Sequence, residues 1–168
     1  LLSLLMAFQI AAFAEEGTQA EIDTVVPAEE LRLLSELGLI ELFADGTYQA
    51  DATVTRGDIA YMVSSLAADK EEIPKAKGNI FSDVPASHWA SDYIEFLYSI
   101  GCVNGNGGGK YRPDDPAKYE EAVKLFVTVL GHQVRAEQKA SYPDGYIATG
   151  MDIGLLKNVK AGIGQTLS

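Results

Sequence analysis

Apolar and polar positions along this chain follow the spacing of short helices joined by turn-rich loops. Over 27–37 the apolar residues Leu31, Leu34 and Leu37 recur every third position and Gly38 follows as a stop, which predicts a helix. After a loop over 40–54, Thr55 and Asp58 have capping-box spacing. The hydroxyl would cap one backbone N–H and the carboxylate would reach back to another. Ile59, Met62, Val63 and Leu66 then predict the apolar face of a second helix. Further on, Ser87 is expected to start a helix whose stripe is Tyr93, Ile94, Leu97 and Ile100, with Gly101 ending it. Five glycines between 101 and 109 predict a loop needing positive φ. Lys118 stands where a capping hydroxyl is wanted, so Asp115-Pro116 is expected to offer an earlier start to a helix with core face Val123, Phe126, Val127 and Leu130. The polar stretches 69–79 and 132–141 predict linkers.

The pattern repeats. Gly38 falls on Gly101, Tyr48 on Tyr111, Thr55 on Lys118 and Asp58 on Glu121, all at an offset of 63. A third copy follows at an offset of 53. Trp89 falls on Tyr142, Tyr93 on Tyr146 and Gly101 on Gly154. Leu167 and Ser168 fall where Val54 and Thr55 stand in the first copy, after a slightly shorter loop. Each unit alone is too small to bury a core, so the units are expected to pack together.

Composition narrows the function. With 13 Lys plus Arg against 24 Asp plus Glu, the formal charge of the 168 residues is −11. Such a surface repels phosphate backbones and argues against a nucleic-acid partner. The 47% hydrophobic and 22% charged content is that of a globular chain. One cysteine excludes an internal disulfide framework and a Cys-based zinc site, and two histidines leave little room for a His-rich centre. Residues 1–14 carry no charge, are shorter than the roughly 20 residues of a membrane span, and end Ala12-Phe13-Ala14 before Glu15. They are expected to be part of a signal peptide, leaving an exported chain with no membrane span.

The stretch Ile80-Phe81-Ser82-Asp83-Val84-Pro85-Ala86-Ser87-His88-Trp89-Ala90 resembles the opening signature of an S-layer homology repeat. Ile100-Gly101-Cys102-Val103-Asn104-Gly105 and Lys110-Tyr111-Arg112-Pro113-Asp114 resemble its middle, and Thr55-Arg56-Gly57-Asp58 resembles the family's Thr-Arg-Ala-Glu motif. The resemblance divides the chain into repeats over 27–68, 81–131 and 142–168, the third truncated before its second helix. It implies an all-α fold of helix-loop-helix repeats packed as a pseudo-threefold helical spindle. It also implies non-covalent anchoring of an exported protein to the bacterial cell wall by binding pyruvylated secondary cell-wall polysaccharide. The alternative is a structural or assembly module that contacts other surface-layer subunits without binding glycan. The first repeat lacks the Phe-x-Asp-Val and His-Trp-Ala opening, and Tyr119 replaces the motif arginine in the second, which leaves Arg56 as the one motif arginine.

Four residues are candidate ligand contacts: Arg56, Asp58, Asp83 and Trp89. A pyruvyl ketal carries a carboxylate, which a guanidinium fork matches with two charge-assisted bonds at a helix N-terminus. The competing role for Arg56 is an internal pair with Asp58 or a neighbouring acid. Trp89 either stacks on a sugar ring or anchors its helix. Asp83 either meets ligand or caps the turn before Pro85. His88 is expected to cap a turn, and Cys102, aligned with Leu39 and Leu155, is expected to be buried. The run 105–111 is not a phosphate loop, since Asn104 and Tyr111 occupy required Gly and Ser/Thr positions. The acids at 45, 51 and 58 miss the spacing of an EF-hand loop. No cofactor, metal or catalytic set is implied, and the chain is not expected to be an enzyme.

Overall fold

The computed structural model describes residues 28–36 and 52–167, apart from 106, 158 and 160. Residues 1–14 and most of the first loop therefore lie outside the described residues. Six α-helices follow in order: α1 (Ala28–Glu36), α2 (Arg56–Ala67), α3 (Ser91–Ser99), α4 (Tyr119–Val129), α5 (Gln133–Lys139) and α6 (Asp144–Asp152). No strand occurs among the described residues, so the fold is all-α, as the repeat pattern predicts.

Helix ends follow local chemistry. Thr55 caps α2: its hydroxyl accepts from the Asp58 N–H at 3.1 Å, and the Asp58 carboxylate accepts from the Thr55 N–H at 2.8 Å. At α4 half of this box survives. Lysine has no acceptor, yet Glu121 still accepts the Lys118 N–H at 3.1 Å. The helix therefore starts at Tyr119, in register with Arg56, and the earlier start at Asp115 does not occur. Gly101 and Gly131 end α3 and α4 with φ of 78° and 80°. Behind them Cys102 N–H donates to Leu97 C=O and His132 N–H to Val127 C=O, the six-to-one bond of a Schellman end.

Four expectations need correction. The helix expected from Ser87 begins at Ser91. The His88 ring accepts the Ala90 N–H and the Ser91 hydroxyl donates to Ala86 C=O, which holds 85–90 in tight turns. The stretch 132–141 is not a linker throughout, because α5 occupies most of it. Its apolar signal is a single buried residue, Ala136, since Val134 faces solvent. Leu66 and Ile100 were expected in the core and are exposed. The stretch 69–79 is mostly irregular, but α3 pins it: Asp92 accepts the Ala76 N–H, and Glu95 accepts those of Lys77 and Gly78.

Packing joins the units. Helix α2 lies against α3 and α4, and α4 against α5 and α6. Ile59, Val63, Ile94, Leu97, Val123, Val127 and Leu167 are buried in one cluster. Cys102 belongs to it, and burial pushes its thiol pKa up.

At the centre the backbone closes a ring. Ala117 N–H donates to Val54 C=O at 2.8 Å, Leu167 N–H to Ala117 C=O at 2.9 Å, and Val54 N–H to Leu167 C=O at 3.0 Å. These are the three residues that the repeat comparison places in register. Each unit thus supplies one equivalent peptide to a cyclic, pseudo-threefold arrangement that buries its own polar groups without a sheet. The next step outward recurs as well, with Arg56 N–H on Asp115 C=O and Tyr119 N–H on Gln165 C=O.

Candidate functional site

The N-terminus of α2 meets the segment 111–113 of the second unit. Arg56 is the first residue of α2, and its Nε donates to Tyr111 C=O at 2.9 Å. Its guanidinium carbon lies 4.8 Å from the centre of the Tyr111 ring, and Nη1 lies 2.7 Å from Glu121 Oε1. Only 13% of the side chain is exposed. Tyr111 is the hub. Its hydroxyl donates to Arg56 C=O at 3.3 Å, and burial pushes its pKa up to about 12.

Asp83 grips the same segment from the other side. Its two carboxylate oxygens accept the Tyr111 and Arg112 N–H groups at 2.9 Å each. That clamp holds Arg112, a non-glycine residue, at a φ of 61°. The Arg112 side chain is 54% exposed, 4.0 Å from Asp115. Trp89 is 53% exposed and lies over Gly57: a Cβ added at Gly57 would stand 3.0 Å from the indole and 3.2 Å from Pro113 C=O. The glycine lets the ring, the helix start and the 112–113 backbone meet. His88 bridges to Asp114 through Nε2 at 3.2 Å while Nδ1 accepts from Ala90, so it caps a turn as expected.

The structure brings the four candidates into one region but gives them different tasks. Asp58 is occupied by both the Thr55 N–H and the Thr55 hydroxyl. Asp83 shapes the backbone rather than capping before Pro85. Trp89 offers an aromatic surface to solvent. Arg56 takes as partner not Asp58 but Glu121, the residue aligned with Asp58 one unit on. Sequence reasoning missed Tyr111, Glu121 and Arg112. The alignment of Tyr48 with Tyr111 and of Asp58 with Glu121 held the signal for two of them. Among the described residues no cluster of three or more metal-binding side chains occurs, and no helix is long and apolar enough to cross a membrane.

Asp83 carries a pH consequence. Burial acts to raise its pKa, but the N–H groups of Tyr111, Arg112 and Asp83 itself, with the Lys110 charge, outweigh it and hold the carboxyl below its ordinary 3.8. A depressed folded pKa gives stability that is present above the unfolded value and lost as pH falls through the folded one. Urea midpoints should therefore drop more steeply for the natural chain than for Asp83→Asn between about pH 5 and about pH 2. Parallel slopes would show that the clamp contributes nothing.

Comparison with known proteins places this geometry. A family model for the S-layer homology domain matches residues 22–60 and 80–123, which contain the capping box of α2 and the half-box of α4. The chain is 27% identical over 157 residues to a cell surface protein of Thermoanaerobacter kivui, covering 92% of this chain and 20% of that protein. It is 33% identical over 92 residues to S-layer protein sap of Bacillus anthracis, covering 55% and 10%. It is 30% identical over 117 residues to an amylopullulanase of Thermoanaerobacterium thermosulfurigenes, covering 70% and 6%. The chain spans a fifth or less of the length of these three relatives. Through the two matched segments, with their shared capping register and cyclic backbone contacts, the chain belongs to the S-layer homology domain family.

Proposed function

We propose that this chain, a secreted cell-surface module, anchors its protein non-covalently to the bacterial wall by binding pyruvylated secondary cell-wall polysaccharide. The observation that carries the reading is the placement of Arg56 and the exposed Trp89 around Gly57 at a unit boundary. An aromatic ring beside a guanidinium suits a sugar bearing a carboxylate. The units act over 27–68, 81–131 and 142–168. In this reading the chain holds and does not catalyse. Its match to only 6% of an amylopullulanase suits a module joined to unlike partners. A second reading, contact with other surface-layer subunits, is favoured by the Arg56–Glu121 pair, which already engages the guanidinium.

Calorimetry on the folded chain separates the two. Wall polymer carrying pyruvate ketals should bind, and the same polymer stripped of pyruvate by mild acid should not. Arg56→Lys keeps the charge but loses the fork, so it should bind roughly tenfold more weakly. Equal binding of both polymers would exclude the pyruvate reading, and binding of neither would leave the assembly module.

A further inference from the structure

The turn that carries Trp89 is closed by the ring of one histidine. His88 N–H donates to Pro85 C=O at 2.8 Å, and Ser91 N–H donates to His88 C=O at 3.0 Å. The two ring nitrogens have unlike partners. Nδ1 faces the Ala90 N–H at 3.1 Å, and Nε2 faces Asp114 Oδ1 at 3.2 Å. An N–H needs an acceptor and a carboxylate needs a donor, so only the neutral ring with its hydrogen on Nε2 makes both bonds. The side chain is 14% exposed, so little water is at hand to replace either partner. Ala90 is buried, and a Cβ added at Gly57 would stand 3.3 Å from its Cβ and 3.0 Å from the Trp89 indole. The residue that the ring caps is therefore packed beside the indole against the start of α2.

We propose that His88 is a pH-operated latch: its neutral ring closes the turn that presents Trp89, and protonation at Nδ1 opens it. A proton taken from solvent turns Nδ1 into a donor facing a donor, while the bond from Nε2 to Asp114 persists. The Ala90 N–H then has no acceptor, and the ring must turn away from it. Histidine side chains change charge between about pH 5 and about pH 8, where ordinary carboxylates stay ionised. The turn 85–90 carries no other charged residue. Charges on the segments around it have partners of their own. Arg112 lies 4.0 Å from Asp115, and Asp83 holds the Tyr111 and Arg112 N–H groups. At the start of α2, Arg56 pairs with Glu121 and Asp58 with Thr55, and in the first turn of α3 Asp92 takes Lys75 and the Ala76 N–H. Asp114 is the charge bonded to the ring. The consequence for holding the wall rests on the glycan-binding reading above, in which Trp89 is the sugar platform, so acid should loosen the hold.

Hydrogen exchange at the Ala90 amide of the full chain tests the latch, with protection taken relative to the unstructured rate at each pH. Between about pH 7.5 and about pH 5 the natural chain should lose protection there about tenfold, the worth of one hydrogen bond. The Ala122 amide, bonded to Lys118 C=O in α4, should keep its own. His88→Asn supplies a carbonyl oxygen that takes the N–H two residues on and does not titrate, so its Ala90 amide should be equally protected at both pH values. His88→Ala should leave that amide unprotected at both. Constant protection in the natural chain, or an equal loss in His88→Asn, would overturn the proposal. The natural chain alone decides should the substitutions fail to fold. Calorimetry with pyruvate-bearing wall polymer reads the consequence. The natural chain should bind about threefold more weakly at the lower pH, and His88→Asn equally at both. An equal pH dependence in the two chains would overturn the link from latch to binding. Binding at neither pH would defeat the anchoring reading, while amide exchange would still decide the latch.

Discussion

Replacing Arg56 with alanine should lower the stability of the chain by about 2–3 kcal/mol, whether or not glycan is present. The side chain is a strut between units. It joins the start of α2 to the Tyr111 carbonyl and ring and to the Glu121 carboxylate at the start of α4. Removing it strands a carboxylate that is only 24% exposed and leaves the Tyr111 carbonyl without this donor. Fully buried pairs cost about 3–5 kcal/mol when one partner is lost, and the partial exposure here reduces that. The double variant Arg56→Ala with Glu121→Gln should recover part of the loss, giving a coupling energy of about 1–2 kcal/mol in a urea-denaturation cycle. Additive losses would mean that the pair is a surface contact of no energetic consequence. The result also bears on function, because an arginine that supports the fold complicates any binding measurement on its alanine variant. Arg56→Lys is therefore the better functional probe.

Gly145→Ala should destabilise by about 3 kcal/mol, although alanine is the better helix former by about 1 kcal/mol. Gly145 lies in the first turn of α6, where that helix crosses the end of α5. A methyl there would stand closer than 3.0 Å to the carbonyl oxygens of Ala136 and Ala140. Both are backbone atoms, so no side chain can swing away and the helices must separate. Gly150→Ala is the control. Its nearest neighbour is the Leu156 side chain at 3.0 Å, which can move, so its cost should be smaller. Equilibrium denaturation of both variants checks the order. A Gly145→Ala chain as stable as the natural one would show that α5 and α6 are not packed as described.

Legibility in the sequence followed the range of each interaction. The α2 cap, the Gly101 stop and the three-unit register all depend on residues within a few positions or on a pattern repeated at fixed offset. They could be read directly, and they carry the all-α fold and the family. Helix α5 escaped because one buried alanine is too little apolar signal, and its stability comes from α6 rather than from its own periodicity. Leu66 lies near the end of α2 and Ile100 just past the end of α3, both at the edges of the apolar stripe, where only the neighbouring helix decides what is covered.

The candidate site divides the same way. The sequence by itself determined that Arg56 begins a helix, that Asp58 closes its cap, and that aromatic residues recur at Trp89 and Tyr142. Each of these follows from hydrogen bonds spanning three residues or from repeat register. Only the tertiary structure decided that Arg56 pairs with Glu121, that Asp83 grips Tyr111 and Arg112, and that His88 meets Asp114. Those contacts join different units or distant segments of one unit. Their geometry is set by how the three units close around the ring at Val54, Ala117 and Leu167, and no local spacing along the chain encodes it.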